Sequence, residues 1–217
     1  MADKPLVEPV TQNDAPSFVT RNPDAPQFWD ERFERGFTPW DQQGVPSAFA
    51  EFAARQAAGL VLIPGCGSAY EAGWLAARGR PVCAFDFSLQ AVQAARAQLA
   101  GLAASAPLDL QQADFFSFAP AQTPHWIYER AFLCALPPSR RADYAQRMAE
   151  LAQPGCLLAG FFLFGETGRK GPPFPIPEAE LHALLTPYFE CIDEQAVLDS
   201  LPMFAGRERW LTWRRRA

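Results

Sequence analysis

The stretch from Leu60 to Ser88, LVLIPGCGSAYEAGWLAARGRPVCAFDFS, constrains the fold more than any other part of the chain. Leu60-Val61-Leu62-Ile63 is a short apolar run suited to a buried parallel strand. Pro64-Gly65-Cys66-Gly67 stops that run with glycines, which tolerate backbone angles that other residues avoid. Ser68 reads as the N-cap of a helix carrying Tyr70, Trp74, Leu75 and Ala76, and Gly79 ends it. Pro81 to Phe85 is a second apolar run, closed by Asp86. The pattern predicts one strand-helix-strand unit.

Its spacing has chemical content. A glycine turn at a strand's carboxyl end lets a ligand approach the backbone, and an acid ending the next strand can accept hydrogen bonds from a ribose diol. Asp86 follows Gly65 by 21 positions, which fits a nucleoside crevice. No third glycine follows Gly67, so an adenosyl ligand without a pyrophosphate, S-adenosylmethionine, fits better than a dinucleotide. A dinucleotide site and a turn that serves only packing remain the alternatives at this point.

At 217 residues the chain suits one large α/β domain. A net charge of −5 gives no basic field for nucleic acid. Arg214-Arg215-Arg216 reads as a solvated strand end. The five cysteines lie scattered in apolar runs without a CxxC pair, which points to reduced thiols in a cytoplasm and to no metal site. No apolar stretch approaches the ~20 residues that span a membrane.

Residues 1–26 hold five prolines among polar residues and read as a mobile arm, so that 27–217 forms the single domain. Phe28-Trp29 to Gly36 reads as a short helix, followed by the rigid loop Phe37-Thr38-Pro39-Trp40-Asp41. This aromatic segment either covers the sheet edge or closes as a lid over a ligand. A helix over Ser47 to Ala58 precedes the central unit, and Ser88 or a neighbour caps a helix after it. A third strand, Pro107 to Ala113, ends in Asp114-Phe115-Phe116, which can receive an adenine amino group and stack on the base, or can merely cap a turn and fill the core. Trp126 to Leu136, with Cys134 in it, is the fourth strand and its exit, with Tyr128 and Arg130 toward the functional end. A helix from Ser139, a fifth strand from Cys156 to Phe164, a long Gly/Pro-rich loop over 165–177, a helix Glu178 to Leu185 and two strands, Phe189 to Val197 and Arg207 to Trp213, complete about seven strands, mostly parallel.

Taken in order, FWDERF, GFTPWD, VLIPGCGSAYEAGWLAARG, VCAFDFS, ADFF and YERAFLCALPP resemble the thiopurine S-methyltransferase superfamily, which includes thiol and halide methyltransferases. The resemblance runs from Phe28 to the carboxyl end. It implies the Rossmann-like class I methyltransferase fold with a seven-stranded sheet, an N-terminal aromatic lid and S-adenosylmethionine as cofactor. It implies also that Trp29 and Trp40 cover the cofactor's methionine end, that Gly65 passes beneath it, that Asp86 holds the ribose, and that Asp114 and Phe115 border the adenine. Tyr128 and Arg130 then lie beside cofactor and acceptor, with Arg130 orienting an anion unless it pairs with Glu129 or another acid. Asp86 and FLCALPP look more like the thiol and halide branch.

The expected reaction is methyl transfer to a small soft nucleophile (a thiol, hydrosulfide or halide), with a thiopurine, another aromatic thiol or a reduced metalloid as alternative acceptors. A nicotinamide-dependent oxidoreductase and a non-catalytic adenosyl-ligand sensor are the competing classes. Methyl transfer to an ionised nucleophile needs a water-poor aromatic pocket more than acid–base groups, which accords with a sequence showing no Ser/His/Asp or Cys/His constellation. The expected partner is a small-molecule acceptor, with no membrane or nucleic acid, for a monomer or weak homodimer.

Overall fold

The computed structural model describes residues 17–217 except 104, 105, 167 and 169. The first 16 residues of the expected arm lie outside the described residues. Residues 17–25 lie against the first helix, α1 (Pro26–Glu34), where Thr20 Oγ1 donates to Glu31 Oε2 at 2.5 Å and Trp29 Nε1 donates to the Pro23 carbonyl at 2.9 Å. Helix α2 (Ser47–Arg55) follows and stops three residues short of the expected Ala58, before the glycine that leads into the sheet.

The sheet contains β1 (Val61–Pro64), β2 (Val82–Asp86), β3 (Leu108–Gln112), β4 (Trp126–Arg130), β5 (Leu157–Leu163), β6 (Phe189–Ala196) and β7 (Glu208–Arg215). Its order is β3-β2-β1-β4-β5-β7-β6, and only β7 runs against its neighbours. Between the strands lie α3 (Tyr70–Ala76), α4 (Leu89–Leu99), α5 (Arg141–Leu151) and α6 (Glu178–Leu185). The expected seven-stranded, mostly parallel α/β sheet is therefore present.

Alternation along the strands sorts the core into two layers. Leu62, Ile127, Leu158 and Leu211 face α5 and α6, whereas Val61, Ile63, Trp126, Tyr128, Ala159 and Phe161 face α2 and α3. The same alternation sends Tyr128 and Glu129 to opposite faces of the sheet. Close approach of β5 to the end of β4 needs Gly160, because a Cβ there would lie 1.8 Å from the Glu129 carbonyl oxygen.

Three local expectations need correction. Ser68 does not cap α3: the cap position is Ala69, in the left-handed region at φ 57°, and the Ser68 hydroxyl donates instead to Asp41 at 2.6 Å. The fourth strand ends at Arg130, where Ala131 turns at φ 54°, so Cys134 sits in a 3-10 turn, Leu133–Ala135, and not in the strand. A second 3-10 turn, Pro138–Arg140, occupies the expected start of α5. Among the described residues, no helix is long and apolar enough to cross a membrane.

Candidate active site

The carboxyl ends of β1, β2, β3 and β4 open into one cavity of about 1360 Å³. Trp29, Trp40, Gly65, Asp86, Asp114, Phe115, Tyr128 and Arg130, all singled out from sequence, line it. In a parallel sheet this is the edge where the strand order reverses, between β1 and β4, and ligands bind there in open α/β sheets.

The floor is the glycine turn after β1. Gly65 adopts φ 60°, and a Cβ on it would lie 2.5 Å from the Phe132 ring, itself packed 5.0 Å from the Phe115 ring. Asp86, 8% exposed, accepts from the Gly67 N–H at 3.1 Å and the Ser88 N–H at 3.0 Å, one on each carboxylate oxygen. Each oxygen keeps a lone pair for a further donor. Burial, with the Asp30 carboxylate nearby, pushes the Asp86 carboxyl up to about 6, against the pull of the Ser88, Gly67 and Phe87 N–H groups.

Asp114 and Phe115 line the cavity while also capping a turn and filling the core. Asp114 is exposed and its Oδ1 accepts from the Phe116 N–H at 3.1 Å, capping its own turn, while Phe115 is buried among Phe116, Phe132 and Tyr144. Asp114 lines the cavity, as does Arg140, whose guanidinium lies over the Phe116 ring at 3.8 Å. Residues 170–173 of the long loop also reach the cavity.

The aromatic cluster of the N-terminal segment is tied down at several points. Trp40 makes edge-to-face contacts with Trp29 at 5.4 Å and Phe33 at 6.2 Å. Asp30 on α1 accepts from the Ser88 hydroxyl at 2.6 Å and the Gln90 N–H at 3.1 Å, which docks α1 on the start of α4. The β6–β7 connection joins this cluster from the other side: Trp40, Leu201 and Met203 pack against the group that holds Phe204, and Gln42 Nε2 donates to the Asp199 carbonyl at 3.3 Å.

The innermost wall is polar. The Tyr128 hydroxyl donates to Glu71 Oε1 at 3.1 Å, and Arg130 Nη2 donates to Gln42 Oε1 at 2.5 Å. Arg130 stacks over Phe161 at 4.7 Å, and its buried Nη1 has no hydrogen-bond partner among the described residues. Glu129 is not its partner. That carboxylate, 1% exposed, lies on the other face and accepts from the Phe132 and Leu133 N–H groups and from the Tyr144 hydroxyl at 2.7 Å. It therefore braces the turn that carries Phe132 and Cys134 into the cavity wall.

Burial pushes the Glu129 carboxyl up to about 7, from an ordinary 4.5. The folded chain then holds this proton more tightly than the unfolded chain, so Glu129 withdraws stability as pH rises from about 4.5 to about 7, by roughly 3 kcal/mol. Urea unfolding at pH 5 and pH 8 should show that loss in the wild type and a much smaller one in Glu129→Gln; equal losses would remove Glu129 from the pH response.

Glu71, Asp41, Gln42, Ser68, Phe132, Met203 and Phe204 also line the cavity, and the sequence alone does not mark them as site residues. Glu71 had one signal, an acid in the first turn of the helix behind the glycine turn. Burial raises the Cys134 and Cys66 thiols, so neither is a ready nucleophile. The one group with metal-ligand geometry among the described residues, Glu178, His182 and Glu194, lies away from the cavity, and Arg209 already pairs with both of its carboxylates.

The family model described as "Thiopurine S-methyltransferase (TPMT)" matches residues 24–216. The chain belongs to the thiopurine S-methyltransferase family. A "Probable thiol methyltransferase 2" of Arabidopsis thaliana is 31% identical over 168 residues, covering 76% of this chain and 74% of its own. A "Thiopurine S-methyltransferase" of Vibrio cholerae serotype O1 (strain M66-2) is 31% identical over 175 residues, covering 73% and 80%. Among solved structures, a Burkholderia thailandensis 1,6-didemethyltoxoflavin-N1-methyltransferase has the same fold, with a TM-score of 0.70 at 15% identity over 94% of this chain and 93% of that one. As a member of the thiopurine S-methyltransferase family, the protein is a methyltransferase enzyme.

Proposed function

We propose that this enzyme transfers the methyl group of S-adenosylmethionine to a small soft nucleophile, a thiol, hydrosulfide or halide. The observation that carries this reading is the convergence, in one cavity, of the glycine turn, the buried acid Asp86, the tryptophan cover and the Tyr128–Arg130 wall. The residues fit the cofactor. Asp86 has lone pairs for a ribose diol, Gly65 presents bare backbone, Asp114 stands at the rim for the adenine amino group, and Arg130 Nη1 is an uncommitted buried donor for a carboxylate or an acceptor. When bound, the cofactor supplies an electrophilic methyl group on a cationic sulfur. Trp29, Trp40 and Phe33 exclude water from the transfer, and Tyr128 with Arg130 orients the incoming nucleophile.

The aromatic walls formed by Trp40, Phe132 and Phe204 also suit a flat aromatic thiol, which keeps thiopurines and related thiols as the second reading. Turnover of S-adenosylmethionine to S-adenosylhomocysteine with iodide, hydrosulfide, an aromatic thiol and a thiopurine tests both. Product with iodide or hydrosulfide supports the first; product with the aromatic thiols alone selects the second; no product with any refutes methyl transfer to soft nucleophiles.

Replacement of Trp40 by alanine should open the cover. Turnover is expected to fall about tenfold, while the melting temperature moves by only about 2–4 °C. Wild-type kinetics in that variant would reduce Trp40 to a surface-packing residue. Five free cysteines support a reducing cytoplasmic setting. The charged edge strand β6, with Glu190, Asp193 and Glu194, disfavours edge pairing and supports a monomer or weak dimer. We likewise assign 27–217 to the catalytic domain and the preceding residues to an arm.

A further inference from the structure

The surroundings of Arg130 hold more acid than base. Glu71, Glu208 and Asp199 all lie within electrostatic reach of its guanidinium, and Asp41 adds a further carboxylate beside Glu71. Such a wall offers more than a cation for an anionic acceptor. It also holds a carboxylate able to take a proton from an acceptor that arrives neutral.

Among the acids that face Arg130, Glu71 is the one that both lines the cavity and meets Tyr128. Glu208 and Asp199 are not among the residues lining the cavity, Asp86 sits at the end of β2 with the ribose as its proposed partner, Asp41 accepts from the Ser68 hydroxyl and the Gln43 N–H, and Glu129 lies on the far face of the sheet. Glu71 lines the cavity, is held at Oε1 by the Tyr128 hydroxyl at 3.1 Å, and retains acceptor capacity on its carboxylate. Burial raises its pKa and Arg130 draws it back, which leaves a base stronger than an ordinary carboxylate. The other titratable groups that face it are Tyr128 and Arg130 from β4, Asp41 from the loop after α1, and Cys66 and Tyr70 from the glycine turn and α3.

Resting on the methyl-transfer reading above, we propose that Glu71 is the proton acceptor for a thiol substrate, oriented by Tyr128, so that the acceptor enters as S–H and ionises inside the cavity. In the step, a sulfur lone pair of the thiol forms the new bond to the methyl carbon. The bond from that carbon to the sulfonium sulfur breaks, its electron pair staying on the departing S-adenosylhomocysteine. The S–H proton passes to the Glu71 carboxylate and later to water. A halide has no proton to give, so the two acceptor classes should depend differently on Glu71.

The test uses the full chain and Glu71→Gln, with S-adenosylmethionine and either an aliphatic thiol or iodide. The ratio of kcat/KM for thiol to kcat/KM for iodide is expected to fall by at least about tenfold at pH 7, and Glu71→Asp, which keeps a carboxylate, should recover part of it. An unchanged ratio overturns the proposal. A second readout needs no turnover: the thiolate absorbance of an aromatic thiol bound with S-adenosylhomocysteine, titrated with pH. The bound thiol should keep its proton to higher pH in the wild type than in Glu71→Gln, since a carboxylate beside it favours the protonated form; coincident titrations overturn the proposal. Wild-type enzyme that turns over neither acceptor refutes the methyl-transfer reading instead, and the titration still decides the role of Glu71.

Discussion

Asp86→Ala is expected to weaken S-adenosylmethionine binding by about 1.5–3 kcal/mol, roughly ten- to hundredfold in Kd, because it removes a charge-assisted acceptor for the ribose. The loss has a second source. The same carboxylate holds the Gly67 and Ser88 N–H groups, so the variant also releases the glycine turn from the end of β2. Asp86→Asn keeps the shape and one acceptor and should lose less. Calorimetric titration measures both. The wild type carries an internal check, since burial pushes Asp86 up to about 6. The ligand's hydroxyl donors favour the ionised carboxylate, so affinity should decline as pH falls below about 6 and level off above it. Affinity unchanged in a folded Asp86→Ala would take the ribose away from Asp86.

Gly160→Ala should be the most destabilising single-methyl change near the site. The added Cβ would meet the Glu129 carbonyl oxygen at 1.8 Å and its backbone nitrogen at 2.8 Å, on a φ of 159° that other residues rarely adopt. Those atoms belong to the backbone of β4, which cannot rotate aside as a side chain could. Relief requires β5 to part from β4 at the Glu129–Gly160 pair. About 3–5 kcal/mol of lost stability should appear as a drop of roughly 10 °C in melting temperature. The strand end that carries Tyr128, Glu129 and Arg130 would loosen with it, so any folded remainder should lose activity disproportionately. A melting point within about 2 °C of the wild type would mean that the two strands are less tightly pressed than their pairing indicates.

The parts of this molecule legible in its sequence are those governed by local rules. The β1-turn-α3-β2 unit shows because two short apolar runs flank a glycine turn, and Asp86 shows because the fold places the end of β2 beside that turn. The seven-strand plan follows from apolar runs separated by helical periodicity. Ser68 is ambiguous in the sequence because its partner, Asp41, stands 27 positions earlier in the chain, and a hydroxyl before a helix looks the same whether it caps or reaches sideways. Cys134 looks like part of the strand because the apolar run continues to Leu136, while the chain turns at Ala131, where Glu129 accepts from the Phe132 and Leu133 N–H groups. Glu71 went unnoticed for a related reason: its meaning comes from Tyr128, 57 residues away, and from the acids that crowd Arg130. Met203 and Phe204 reach the cavity only because the β6–β7 connection folds back against the aromatic cluster.

The location of the transfer site is tested most directly by a crystal structure of the enzyme with S-adenosylhomocysteine. The ribose should lie on Asp86, the adenine at Asp114 and Phe115, and the sulfur beneath Trp29 and Trp40, facing Glu71, Tyr128 and Arg130. Ligand bound outside this cavity, or a sulfur turned away from that polar wall, would contradict the assignment of the site.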